Sequence, residues 1–388
     1  MQWVATLNSV GTALPGAGGT IKGSAGSMLV TQNASGVDGV FSGLITDSVS
    51  LVKAGGNTLF LTTANNYTGA TVVTGGTLRV RDDGALANTS SVTVNFGTLL
   101  LDNSNLSDNL NRLNDSAGIT LNGGTLSLFG RAGALSSETV GVVTLGIGAN
   151  TISASTGNNG GQYPPQTGIL RVGGLVRDAS TGSTLTFSQN YTNTSAGQMG
   201  TISGNQENIV INGYNSGMLT NNIMGAWAVA NSGYFNTTSV EYASYIDGLG
   251  VGALSTTGYA GYTSTLTNPA TPVTGTATSN VRVVTNNSTA VQIASGGLTV
   301  NTLNVGNVAP SGTTTTGTNV NLTFAAATDV LNLAGGGLII QNITGTNAAG
   351  TASIGTSSVQ ASSLRVVLRR RLPLICTFIT TPPRWPTP

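Results

Sequence analysis

Val72-Val73-Thr74-Gly75-Gly76-Thr77-Leu78-Arg79-Val80 reads as an apolar strand, a glycine corner and a second strand. The same order returns in Thr93-Val94-Asn95-Phe96-Gly97-Thr98-Leu99-Leu100-Leu101 and in Thr120-Leu121-Asn122-Gly123-Gly124-Thr125-Leu126-Ser127-Leu128. The glycines that open the second strand are Gly76, Gly97 and Gly124, at steps of 21 and 27 residues. A step of roughly this length is one coil of a parallel β-helix, which cannot bury its apolar side alone and must stack on its neighbours. Within Thr77-Leu78-Arg79-Val80-Arg81, Leu78 and Val80 fall on one face, and Thr77, Arg79 and Arg81 on the other.

Weaker copies lie further along. Gly182-Ser183-Thr184-Leu185-Thr186-Phe187 is one. Gly296-Gly297-Leu298-Thr299-Val300 and Gly336-Gly337-Leu338-Ile339-Ile340 are 40 residues apart and are expected to span two coils.

Composition points the same way. Glycine fills 55 of 388 positions, and charged residues make up only 7 %. The helix-favouring Glu and Lys are nearly absent, while Thr and Val favour strands and Gly and Asn favour tight corners. The expectation is an all-β fold of many short strands, a β-solenoid with irregular rungs. The 39 % apolar content is enough to line its core.

Several functions are excluded or made improbable by what is scarce. There is no histidine, the commonest general base and metal ligand. Cys376 is the single cysteine, so disulfides and cysteine-based zinc sites in the body are ruled out. Residues 361–388 hold five of the 14 basic residues and none of the 13 acidic ones, which leaves residues 1–360 mildly acidic, with nine against 13. That balance gives no electrostatic footprint for nucleic acid. No apolar stretch is long enough to span a membrane as a helix. The start, Met1-Gln2-Trp3-Val4-Ala5-Thr6-Leu7, lacks the basic and apolar regions of a signal peptide.

The chain divides by composition. Residues 1–360 are read as the solenoid. Within them, 200–280 form an aromatic-rich insertion or wider rungs, holding Tyr214, Tyr234, Tyr242, Tyr245, Tyr259, Tyr262, Trp227 and Phe235. Residues 361–388 contain five Pro and no Gly or Asn, and are expected to be a disordered tail. The abrupt change near Ser363 leads us to expect a shifted reading frame from there on.

Asn57-Thr58-Leu59-Phe60-Leu61, Asn65-Asn66-Tyr67-Thr68-Gly69-Ala70-Thr71-Val72-Val73 and Gly76-Thr77-Leu78 together resemble the autotransporter-associated β-strand repeat, also called the passenger-associated transport repeat. Tyr67, Gly69, Thr71, Val73, Gly76 and Leu78 carry the pattern; Thr62-Thr63 stand where the family usually has Gly. The resemblance covers about 30 residues. It implies a right-handed parallel β-helix, a passenger exposed at a Gram-negative cell surface, and a C-terminal membrane β-barrel translocator, whose series of alternating strands of ~10 residues is not read after residue 340. The function expected is a structural or adhesive passenger segment of a secreted repeat protein, meeting extracellular glycans or proteins. A β-helical polysaccharide lyase or hydrolase is the alternative, and a non-functional fragment of a larger gene is a third reading.

No catalytic, cofactor or metal residues are assigned, and no cofactor is expected. Arg79 and Arg81 with Asp82 and Asp83 form a charged face that could hold an anion but reads as a solvated face and turn. Asp82 and Asp83 are expected to point to opposite faces, as adjacent strand residues do. Asp102, Asp108 and Asp115, among Asn103, Asn105, Asn109, Asn111 and Asn114, offer oxygen ligands for calcium, without the repeated nonapeptide of calcium-binding rolls. The tyrosine-rich segment could stack on sugars, although solenoid packing explains it better. Lys22 and Lys53 are the only lysines, and no motif supports a Ser-Lys dyad.

Overall fold

A computed structural model describes residues 1–9, 14–32, 36–156, 167–189, 199–201, 206–232, 239–267, 270–284, 290–306, 320–326, 328–341, 344–345, 348–349 and 352–355. The tail 361–388, Ser363, Tyr234 and Phe235 lie outside the described residues. The coil that begins at Ser50 shows how the pattern folds. Ser50–Ala54 forms a strand with Leu51 and Lys53 inward, the corner at Gly55 and Gly56 turns the chain, and Thr58–Leu61 forms a second strand with Leu59 and Leu61 inward. Ala64–Asn65 makes a short third wall before the chain re-enters the first sheet at Thr71–Thr74. Period-two burial on each strand follows from the pleat, because alternate side chains point to opposite faces.

Repetition of this path builds parallel sheets. Nine strands, from Gln2–Val4 through Met28–Thr31, Ser50–Ala54, Thr71–Thr74, Ser91–Asn95, Gly118–Asn122, Leu135–Leu145 and Thr167–Arg177 to Gln206–Ile211, pair in chain order as one sheet. A second sheet runs through Gly39–Phe41, Thr58–Leu61, Thr77–Arg81, Thr98–Asp102, Thr125–Phe129, Ala149–Ser155 and Thr184–Ser188. Ala64–Asn65 pairs with Ala85–Leu86, and Leu86 bridges Leu113, which extends the third wall. Each neighbour in a sheet is the next coil in sequence, so the fold is a parallel β-solenoid.

The register stacks like on like. Leu59, Leu78, Leu99, Leu126, Ile152 and Phe187 are successive partners in the second sheet, all fully buried. In the first sheet Val73, Val94, Leu121 and Leu145 do the same. Each buried Leu or Val of these columns contributes roughly 1.5–3 kcal/mol relative to exposure. Coil length varies because insertions leave between the strands: the segment from Asn103 to Ala117 accounts for the long step between Leu99 and Leu126.

The chain forms two compact units, the first of Met1–Asn215 with Ile246–Val251, the second of Ser216–Tyr245 with the chain from Gly252 on. In the second, Ala228–Ser232 pairs antiparallel with Ser239–Ile246. Ser264–Leu266, Asn280–Val283, Leu298–Gly306 and Leu331–Gln341 form a parallel sheet, and Val291–Gln292, Val320–Thr323 and Ala352–Ile354 another. Val281, Val283, Leu298, Val300, Leu303, Val305, Val320 and Leu322 are its core.

One expectation is corrected here. Leu298 pairs with Leu331 and Thr302 with Gly337, so the two Gly-Gly-Leu copies belong to adjacent strands one coil apart. The register shifts between Val300 and Thr302, so the length read as two coils is a single one. Among the described residues the only helical elements are the short 3-10 turns Ala179–Thr181 and Ser216–Met218, and no helix is long and apolar enough to cross a membrane.

Candidate functional site

The coil carrying the family-like pattern is the natural place to look, and its marked residues face inward or close corners. Tyr67 is buried, and its hydroxyl lies 2.6 Å from Thr71 Oγ1, which lies 2.9 Å from Thr89 Oγ1. Thr89 donates in turn to the Gly69 carbonyl at 3.0 Å, closing a chain of hydroxyls inside the coil. Burial pushes the Tyr67 hydroxyl well above its usual pKa. A Cβ at Gly69 would collide with the Val49 carbonyl, so only glycine fits that approach. Gly76 has φ +56, and a Cβ there would strike the Asn57 carbonyl. Asn65 accepts from the Ile45 amide at 2.8 Å and donates to the Thr63 carbonyl at 2.7 Å, stitching the third wall across coils. The Thr63 hydroxyl, standing where the family usually has Gly, bonds the Ser42 carbonyl at 2.7 Å.

Lys53 occupies an inward position between Thr31 and Val73 in the column and is fully buried. Its ammonium donates to the carbonyls of Gly55 at 2.7 Å and Gly75 at 3.0 Å. Burial lowers its pKa to about 8, against the raising effect of Asp38. This lysine stabilises a corner, its ammonium spent on two backbone carbonyls.

On the outer face, Arg79 pairs with Asp102 at 2.6 Å, and the Arg79 and Arg81 guanidiniums lie over the Phe60 ring at 5.4 and 4.4 Å. Asp102 also accepts from Ser104. Asp82 does not sit on a strand: it is a turn residue with φ +56, buried, and accepts from the Asn105 side chain and the Leu106 amide. The opposite-face argument for Asp82 and Asp83 therefore gives way to turn geometry. The carboxylates considered for calcium are drawn apart: Asp102 to Arg79, Asp108 to Ser136 at 2.8 Å, and Asp115 to an exposed turn. Among the described residues no three His, Cys, Asp or Glu converge as a metal ligand set.

Arg112 and Glu138 were not legible as partners in the sequence. Arg112, within the segment from Asn103 to Ala117, is fully buried and donates to the carbonyls of Gly84 at 2.6 Å, Asp82 at 3.0 Å and Ser107 at 2.9 Å, and to Asn103 Oδ1. Glu138 accepts from the backbone amides of Arg112 and Leu113, both at 2.8 Å. Burial outweighs those bonds and raises the Glu138 carboxyl to about 7. Glu207 is similarly buried and raised to about 7; Thr156 donates to its Oε1, and its Oε2 has no partner among the described residues. The available signal was phase: Glu138 sits in the inward register of Ser136, Glu138 and Val140.

In the second unit Glu241 is fully buried against Arg282, 3.0 Å away, with Arg282 over the Tyr262 ring at 5.7 Å. Burial raises the Glu241 carboxyl, and burial with the nearby Glu241 charge raises the Tyr262 hydroxyl. The Asn304 amide bonds Tyr262 at 2.9 Å, and Gln341 joins Asn304 at 3.0 Å and both backbone groups of Val240. Tyr242 and Tyr245 are buried, which places them in packing. Chemically this network is a fastening of strands, with its carboxylate shut away from solvent.

The geometry defines a repeat solenoid whose patterned residues serve closure of the coil. Residues 51–80 match the family described as passenger-associated-transport-repeat. Comparison with curated proteins gives no match, and comparison with solved structures gives none.

Proposed function

We propose that this chain is a structural and adhesive passenger-type segment of a secreted bacterial surface protein, displayed outside the cell and without catalysis. One observation carries the reading: in the matched coil, Asn65, Tyr67, Gly69, Thr71, Gly76 and Leu78 are all spent on closing and stacking the coil. A repeat whose distinguishing residues hold backbone to backbone is selected for length and rigidity, and its outward Thr, Asn and Ser are left to meet water and partners. The burial of Glu138, Glu207 and Glu241 inside the coils favours this over a polysaccharide lyase or hydrolase, which needs acidic groups within reach of substrate.

The test is to place the chain between an export signal and an outer-membrane β-barrel translocator in a Gram-negative cell. The reading expects the chain to reach the surface, where added protease removes it from intact cells. Retention in the periplasm would overturn the display reading. New reducing ends or unsaturated products from polysaccharides, lost on substituting Glu241, would overturn the absence of catalysis.

A further inference from the structure

The corner between the two sheets carries one residue that the fold does not ask for. Register aligns Gly75, Phe96 and Gly123 on three successive coils. Gly75 and Gly123 have φ +117 and +63, and Phe96 has φ +53. A bulky side chain in the left-handed region is strained, whereas glycine adopts it freely. Phe96 is also 72 % exposed, so burial does not repay the strain. Strain retained at an exposed aromatic points to a use outside the fold.

The surroundings say what that use is. The Phe96 ring lies against the next coil, where a Cβ on Gly123 would come within 2.8 Å of it, so glycine there makes room for the ring. Ile147, 53 % exposed, follows on the coil beyond, where its carbonyl accepts from Gly123. Beside the ring runs an amide pair, Asn122 Nδ2 to Asn95 Oδ1 at 2.8 Å. Residues 84–101, 116–130 and 139–170 contain no charged side chain; Lys53, whose ammonium reaches the Gly75 carbonyl, is buried, and Arg177 and Asp178 stand on the coil after Ile147. An exposed aromatic ring beside an amide pair, on coils that carry no charge of their own, suits a sugar ring that is apolar on one face and hydroxylated at its edge.

We propose that Phe96, with Asn95, Asn122 and Ile147, is a binding site for a neutral glycan, the sugar stacking on the Phe96 ring and its hydroxyls meeting the asparagine amides. The inference rests on the adhesive reading above and names its ligand class. The purified full chain is titrated with cellohexaose, maltohexaose and xylohexaose and screened on an array of neutral and acidic oligosaccharides. The expected result is retention of at least one neutral oligosaccharide, about tenfold weaker binding in Phe96→Gly, and recovery in Phe96→Trp. Phe96→Gly should unfold at the same temperature as the parent or higher, since it restores the glycine of the neighbouring coils. Absence of neutral-glycan binding, or equal binding by Phe96→Gly, would overturn the proposal, as would a marked fall in the Phe96→Gly midpoint, which would make the ring a packing element. Normal surface display without glycan binding removes this inference alone, whereas failed display removes the reading beneath it.

Discussion

Glu138 holds Arg112 by its backbone while the Arg112 side chain reaches the opposite way: the Arg112 amide donates to Glu138 Oε1 at 2.8 Å, and its guanidinium is spent on Asn103 and the carbonyls of Asp82, Gly84 and Ser107. The insertion between Asn103 and Ala117 is thus tied down at one residue from two sides. Removing the guanidinium leaves several buried acceptors bare. Arg112→Ala should cost about 3–5 kcal/mol in denaturant unfolding. Arg112→Lys should recover only part of that, because an ammonium cannot span the same fork of acceptors. Limited proteolysis should cut the variant first between Asn103 and Ala117.

The buried glutamates set the pH dependence. Glu138 and Glu207 are raised from 4.5 to about 7, so between these values the folded chain binds more protons than the unfolded one. Their contribution is fully present below about 4.5 and is lost as pH rises through about 7. Each shift corresponds to roughly 3 kcal/mol. Urea midpoints should therefore fall from pH 5 to pH 8, and Glu207→Gln should flatten the slope. An identical slope in the variant would refute the assignment.

Lys53 gives the opposite sign. Its pKa is lowered to about 8, so its burial penalty is present below that value and is relieved as pH rises from about 8 to 10.5. Lys53→Met fills the column beside Val73 without a charge. It should raise the thermal midpoint at pH 7 and remove the gain in stability seen between pH 8 and 10.

Facing should decide the cost of truncation. Leu99 is fully buried in the column between Leu78 and Leu126, while its neighbour Leu100 faces outward opposite Arg79. Leu99→Ala should cost about 2–5 kcal/mol by leaving a cavity. Leu100→Ala should cost under about 1 kcal/mol by the same measurement. Equal costs would contradict the alternation.

What the sequence revealed was what alternation and glycine reveal. The Thr-Leu strands at Leu78, Leu99 and Leu126 were legible because one inward leucine per coil recurs behind a glycine corner. The third wall was not, since Ala64–Asn65 and Ala85–Leu86 are two residues each, too short to show a period. The Gly296 and Gly336 copies misled because spacing alone cannot separate one long coil from two short ones. Arg112, Glu138 and Glu207 were hidden because an isolated charge in a polar-rich chain reads as surface; only the fold shows which phase it occupies. Phe96 was quoted within a repeat, yet its strain became visible only through its backbone angle.

The central claim is that successive coils stack in parallel at a fixed register. Thr93 and Thr120 are outward register partners on adjacent coils, 27 residues apart in sequence. Neighbouring strands lie about 4.8 Å apart, within the Cα separation a disulfide tolerates. In a chain with Cys376→Ser, the pair Thr93→Cys and Thr120→Cys should oxidise readily in the folded state to an intramolecular disulfide, while Thr93→Cys with Leu121→Cys, whose second site faces inward, should not. Equal oxidation of both pairs, or of neither, would contradict the solenoid.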